Sequence, residues 1–239
     1  MHPRVRVTQT LAIDKEIVRL AGKRRPSVLF IPTASEDSRE YCDALRRLYA
    51  DHLGCEFHTL LLYRERPALA SLRGLILDSD IIYVGGGNTL RMMRLWRKLG
   101  VDRYLDQARR RGTVLCGLSA GAICWFRQGN SDSRKFADSD NKTLIKVTGL
   151  GFADLLLCPH YDVEKHRQPA LKAMMKTTRG IAIALDNCAA IEIVDDQYRV
   201  LTSAQRKNAW CVYWKNGVYY KEALPKDGVF RSLARLLGV

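Results

Sequence analysis

The sequence predicts an α/β fold on a mostly parallel sheet, and three observations carry that reading. Short apolar runs alternate with amphipathic segments through most of the chain, the pattern of strand–helix units around a parallel sheet. Two glycine clusters, Gly85-Gly86-Gly87 and Gly117-Leu118-Ser119-Ala120-Gly121, each follow an apolar strand-like run and precede a helix-like segment. From residue 181 the texture changes to short β-branched and aromatic runs separated by turn residues, so the C-terminal part is expected to be β-rich.

The elements follow in order. Apolar runs place strands at SVLFIPTA 27–34, EFHTLLLY 56–63, IIYVGG 81–86, TVLCGLS 113–119 and LLLCPH 155–160. Helical spacing of apolar residues places helices over 36–53, 89–99, 101–111, 120–127 and 165–178. Beyond 181, IAIALD, AAIEIVDD, YRVLTS, AWCVYWKNG and VYYKEA read as strands, with KNG as a hairpin turn. The polar stretch 127–143 reads as a long loop, and long loops in compact domains tend to be functional or mobile. No repeat or linker interrupts the chain, so residues 1–239 are expected to form one domain.

Composition narrows the function classes. The first residues, MHPRVRVTQT, hold no apolar stretch of signal-peptide length, and no window approaches the roughly 20 apolar residues of a membrane span. The expectation is a soluble cytoplasmic protein. Its 7 cysteines are odd in number and scattered, several within apolar runs, which fits reduced thiols. Lys and Arg outnumber Asp and Glu by 39 to 25, a net charge of +14. The densest basic stretch, 91–112, interleaves its charges with Met93, Leu95, Trp96, Leu99, Val101, Leu105 and Ala108 at helical spacing. These bases are therefore read as the solvated face of core helices, and nucleic acid is the weaker reading without a base-stacking platform.

Gly117-Leu118-Ser119-Ala120-Gly121 matches G-x-S-x-G between a strand-like and a helix-like segment, the context in which a serine nucleophile sits on a sharp turn. Ala120 N–H is the natural first donor to a developing oxyanion. Gly87, or its neighbour Gly86, offers a second donor, with Asn88 and Thr89 capping the next helix and lining the cleft. The tri-glycine lacks the spacing of a dinucleotide loop and any Walker lysine. Of the five histidines, His160 ends an apolar run after Pro159, at the carboxyl end of a strand where parallel-sheet enzymes gather functional groups. It is the expected base, and His166 the rival. His52, Cys55 and His58 fall across a helix end and the next strand and do not suggest zinc. An ordinary α/β-hydrolase is disfavoured, because its histidine comes late and none follows residue 166.

Together these residues resemble the peptidase E, or α-aspartyl dipeptidase, serine peptidases, a family that includes cyanophycinase. VLFIPTAS 28–35, IIYVGGGNT 81–89, GLSAGAICWF 117–126 and CPHYD 158–162 stand in the family's order, followed by IAIALDNCAAIEI 181–193. The resemblance implies a three-layer αβα fold akin to class I glutamine amidotransferases, with Ser119 as nucleophile and His160 as base. It implies an acyl-enzyme mechanism with Gly87 and Ala120 as the oxyanion donors, without metal or cofactor. The third member is expected at Asp186, with Asp132 and Asn187 as alternatives. Arg167 or Lys165 would hold an acidic substrate side chain. The expected substrates are short peptides, among them Asp-Xaa dipeptides, and monomer and homodimer are both left open. The short RVRV at 4–7 suggests a shortened edge strand. The rival reading is a catalytically silent or ligand-binding protein on the same fold.

Overall fold

A computed structural model describes residues 9–65 and 67–238. The chain divides into two compact units, one running from Asp14 to Trp125 and the other comprising Gln9–Ile13 and the chain from Phe126 onward. The RVRV segment lies outside the described residues.

The first unit is built on a parallel four-stranded sheet of order β2-β1-β3-β4, from β1 (Ser27–Ile31), β2 (Glu56–Thr59), β3 (Ile81–Val84) and β4 (Val114–Gly117). Val28 pairs with Ile81, which pairs with Val114 on its other side. The two central strands, SVLFI and IIYV, are apolar almost throughout because a central parallel strand buries both of its faces. The helices are α1 (Leu11–Leu20, of which Asp14–Leu20 belong to this unit), α2 (Arg39–Arg46), α3 (Leu69–Leu77), α4 (Thr89–Leu99), α5 (Val101–Arg110) and the short α6 (Ala120–Ile123).

Two predicted helices take different forms. The segment 36–53 starts late, because Glu36 and Asp37 hold φ of 57° and 56° and Ser38 caps α2 by accepting from the Tyr41 N–H. It then widens into a π turn over Arg47–His52. The helix expected over 120–127 stops at Ile123, since Phe126 enters the next strand. The basic stretch 91–112 behaves as expected, burying Met92, Met93, Trp96, Val101, Leu105 and Ala108 while Arg94, Arg97, Lys98, Arg103 and Arg109–Arg111 are exposed.

The second unit holds a six-stranded sheet of order β12-β11-β8-β7-β5-β6. Its strands are β5 (Phe126–Ser131), β6 (Ile145–Thr148), β7 (Ala153–Cys158), β8 (Ala182–Leu185), β11 (Ala209–Lys215) and β12 (Val218–Ala223). β5, β7 and β8 run parallel and the others antiparallel. β9 (Ala189–Val194), β10 (Gln197–Thr202) and β13 (Arg231–Ser232) form a second, antiparallel sheet. The helices are α7 (Arg167–Met175) and α8 (Leu233–Leu237). The β-rich texture read after residue 181 is thus the observed one. Asn216 and Gly217, at φ 50° and 75°, make the expected β11–β12 hairpin turn.

The stretch 127–143, read as loop, is a strand at its start. Phe126–Ser131 lies between β7 and β6 although its sequence, FRQGNS, is polar. Asn130 and Ser131 are fully buried there with their polar groups paired, Asn130 to Arg167 and the Ser131 hydroxyl to that of Ser133 at 2.8 Å. Hydropathy alone misses a strand whose buried Asn130 is met by an arginine of a distant helix. Among the described residues no helix is long and apolar enough to cross a membrane.

Candidate active site

The two glycines of the elbow after β4 tolerate no side chain. Ser119 sits at φ 54°, ψ −115°, a backbone conformation that non-glycine residues rarely adopt and that persists only where the surroundings enforce it. A Cβ on Gly117 would lie 2.6 Å from both the Val84 and Gly121 carbonyl oxygens, and one on Gly121 would overlap the Val84 carbonyl. The two glycines of G-x-S-x-G therefore let the elbow close onto the end of β3.

The tri-glycine loop borders this elbow. A Cβ on Gly86 would lie 3.3 Å from Ser119 Cβ and 3.0 Å from Leu118 Cδ1. Gly87 has φ 138° and no room for a Cβ beside the Ala34 carbonyl, which accepts a 2.8 Å bond from the Asn88 N–H. The Gly86 N–H is used by the Tyr41 hydroxyl at 3.3 Å. Among the described residues the N–H groups of Gly87 and Ala120 have no acceptor, so two backbone donors at this elbow remain open. Asn88 caps α4, its Oδ1 accepting from the Arg91 N–H at 3.0 Å, and Thr89 is buried.

In the second unit His160, half-buried, follows β7 at φ 56°. Its Nδ1 lies 2.8 Å from Oδ1 of Asn187, in the turn between β8 and β9. The Tyr161 N–H donates to the Leu185 carbonyl at 2.9 Å, and the Asn187 N–H donates to Asp162 Oδ1 at 2.8 Å. These two bonds bracket the His160–Asn187 pair.

The two acids expected for the third position are occupied elsewhere. Asp186 is buried, accepting from the Asn208 N–H at 2.9 Å and from Trp210 Nε1 at 3.3 Å. Asp132 pairs with Lys135 and lies 3.6 Å from Arg167 Nη2. Asn187 is thus the group placed on His160. His166 is exposed at the start of α7, with Nε2 3.6 Å from Glu164.

Arg167, expected to meet an acidic substrate, is only 1% exposed. Its Nε donates to Glu164 at 2.7 Å and its Nη1 to the Asn130 carbonyl and Oδ1 at 3.0 and 3.3 Å. These bonds tie α7 to β5. Lys165 is exposed. Burial pushes the Cys158 and Cys211 thiols up to about 12 and the Cys116 and Cys124 thiols well above their ordinary range. None of these four is a ready thiolate. Among the described residues no group of three or more His, Cys, Asp or Glu is arranged to hold a metal, and Cys55 and His58 contact Leu53 and Glu56 respectively.

Comparison with known proteins places the chain in one family. The family model for peptidase family S51 matches residues 5–201. The uncharacterized peptidase YgaJ of Bacillus subtilis (strain 168) is 34% identical over 204 residues, covering 84% of each chain. A crystal structure of a peptidase from an acI-B1 actinobacterium superposes with a TM-score of 0.71 at 22% identity, over 94% of this chain and 91% of that one. A putative peptidase E protein from Listeria monocytogenes EGD-e gives a TM-score of 0.63 at 22% identity, over 82% and 94%. The structures share the α/β fold, and the extent of the family match decides the assignment: this chain belongs to peptidase family S51.

Proposed function

We propose that the protein is a serine peptidase in which Ser119 attacks the scissile carbonyl, His160 accepts its proton, and an acyl-enzyme forms and is hydrolysed by water. The observation that carries the proposal is the backbone of Ser119, held at φ 54° on an elbow of glycines. Strain of this kind is maintained where a side chain must be presented in one direction. The Gly87 and Ala120 N–H groups are assigned to the oxyanion, being open donors next to that serine. Asn187 takes the third role: accepting from Nδ1–H, its side-chain Oδ1 fixes the tautomer whose Nε2 is free to receive the serine proton.

Short peptides are the proposed substrates, Asp-Xaa dipeptides among them. Arg167 has no part in selecting them, because its guanidinium is spent on Glu164 and Asn130 inside the protein. The test is hydrolysis of Asp-Leu, Glu-Leu, Leu-Leu, Lys-Leu and N-blocked Asp-Leu by wild type and Ser119→Ala, alongside fluorophosphonate labelling. Cleavage and labelling that both vanish in Ser119→Ala support the proposal. Wild type that neither cleaves nor labels refutes it in favour of a silent, ligand-binding protein.

A further inference from the structure

Asp162 stands two residues beyond His160 and reaches the other partner of the pair through the backbone. Its Oδ1 accepts the Asn187 N–H at 2.8 Å, and its Oδ2 is held by the Lys207 ammonium. Lys207 is itself anchored, since its carbonyl and that of Gln205 accept from Lys226 Nζ at 3.0 and 2.8 Å. The turn is tied from the same segment by the Ser203 N–H on the Cys188 carbonyl at 2.9 Å and by the reciprocal bonds of Asp186 with Asn208. Cys188, next in the turn, has φ 65°. Removing the acceptor of the Asn187 N–H would leave a part-buried donor unpaired in this turn, so that bond helps to fix the backbone from which the Asn187 side chain projects.

We infer that Asp162, steadied by Lys207, is a positioning residue that sets Asn187 Oδ1 against His160 Nδ1. The inference rests on the reading of His160 as the base. Asp162 bonds the Asn187 N–H and Lys207 and makes no hydrogen bond to the His160 ring. It holds the backbone of the residue that holds the ring, and a carboxylate suits this because one oxygen takes the N–H while the other takes the ammonium. The polar run from Lys207 through Asp162 and Asn187 to His160 thereby selects the Nδ1–H tautomer.

The experiment follows two readouts in the full chain: peptide turnover, and the tautomer of His160 from its ring ¹⁵N shifts. Asp162→Ala is expected to lower kcat about tenfold with little change in KM, and to shift His160 away from the Nδ1–H form. Asp162→Asn, which keeps one acceptor oxygen, is expected to recover most of both. Lys207→Met, at a partly exposed position, is expected to lower kcat by about two- to threefold. Asn187→Ala serves as the control for the underlying reading. Loss of turnover and tautomer in Asn187→Ala with both unchanged in Asp162→Ala overturns the inference alone, whereas an unchanged Asn187→Ala overturns the assignment of the pair itself. Should Asp162→Ala fail to fold, Lys207→Met carries the test, and turnover and a His160 tautomer both equal to wild type in that variant overturn the inference.

Discussion

The His160 Nδ1 atom lies 2.8 Å from the side-chain amide oxygen of Asn187, while the carboxylate of neighbouring Asp186 bonds the opposite segment through Asn208 and Trp210. One step along the chain separates the group that meets the ring from a group that fastens a strand end. Asn187→Ala is expected to reduce kcat by about 10- to 100-fold without unfolding, and Asn187→Asp to retain turnover because an acceptor remains. Asp186→Ala is expected to cost about 2 kcal/mol of stability through two lost bonds to a buried carboxylate. Steady-state kinetics and urea titrations on the three variants separate these effects, and wild-type kcat in Asn187→Ala would exclude Asn187 as the orienting group.

The elbow glycines give a second prediction. Gly121→Ala drives a methyl into the Val84 carbonyl and is expected to destabilise the first unit by about 3 kcal/mol, abolishing labelling of Ser119. Gly86→Ala meets side-chain carbons at 3.0 and 3.3 Å and the Leu118 carbonyl only at an ordinary 3.6 Å, and is expected to fold while slowing the nucleophile it crowds. Thermal unfolding and fluorophosphonate labelling rates distinguish the two. Equal stability of Gly121→Ala and wild type would contradict the packing described.

Arg167 predicts a loss of stability where the sequence predicts a change of specificity. Arg167→Leu leaves Glu164 and the Asn130 carbonyl without their buried partner and is expected to cost about 3–5 kcal/mol. A folded Arg167→Leu whose KM rises for Asp-Leu but not for Leu-Leu would restore the arginine to the substrate site.

Asp162 makes part of the stability depend on pH. Burial pushes its carboxyl up, but the Lys207 ammonium and the Asn187 N–H outweigh burial and hold it below the ordinary 3.8. The folded state therefore favours the ionised form. Its contribution is fully present above about 3.8 and is lost as pH falls through the lower folded value. The stability gap between wild type and Asp162→Asn is expected to be constant from about pH 5 to 8 and to shrink below about 3.8. Urea titrations at pH 6 and pH 3 measure it, and a gap that widens on acidification would reverse the sign.

Thiol reagents offer a simple check on the nucleophile. Burial keeps Cys116, Cys124, Cys158 and Cys211 protonated, so iodoacetamide at neutral pH is expected to leave these four unmodified. Peptide mapping reads the outcome. Rapid loss of activity coupled to alkylation of Cys116 or Cys124 would move the chemistry from serine to thiol.

What could be read directly from the sequence is what depends on local pattern. Ser119 and Gly85–Gly87 announce themselves because a strand that turns at once into a helix needs small residues at set spacings, and α4 and α5 because their apolar stripes repeat with the helix. Three features were settled only by tertiary structure. FRQGNS becomes the strand β5 because α7 delivers Arg167 to its carbonyl and amide, a satisfaction of polar groups that hydropathy does not register. Arg167 is consequently buried, although an arginine in a charged run reads as a surface group. Asn187 rather than Asp186 meets His160 because adjacent side chains in a tight turn point in different directions. Which of them faces the ring is decided by the acceptor that takes the Asn187 N–H, and that acceptor, Asp162, is 25 residues away.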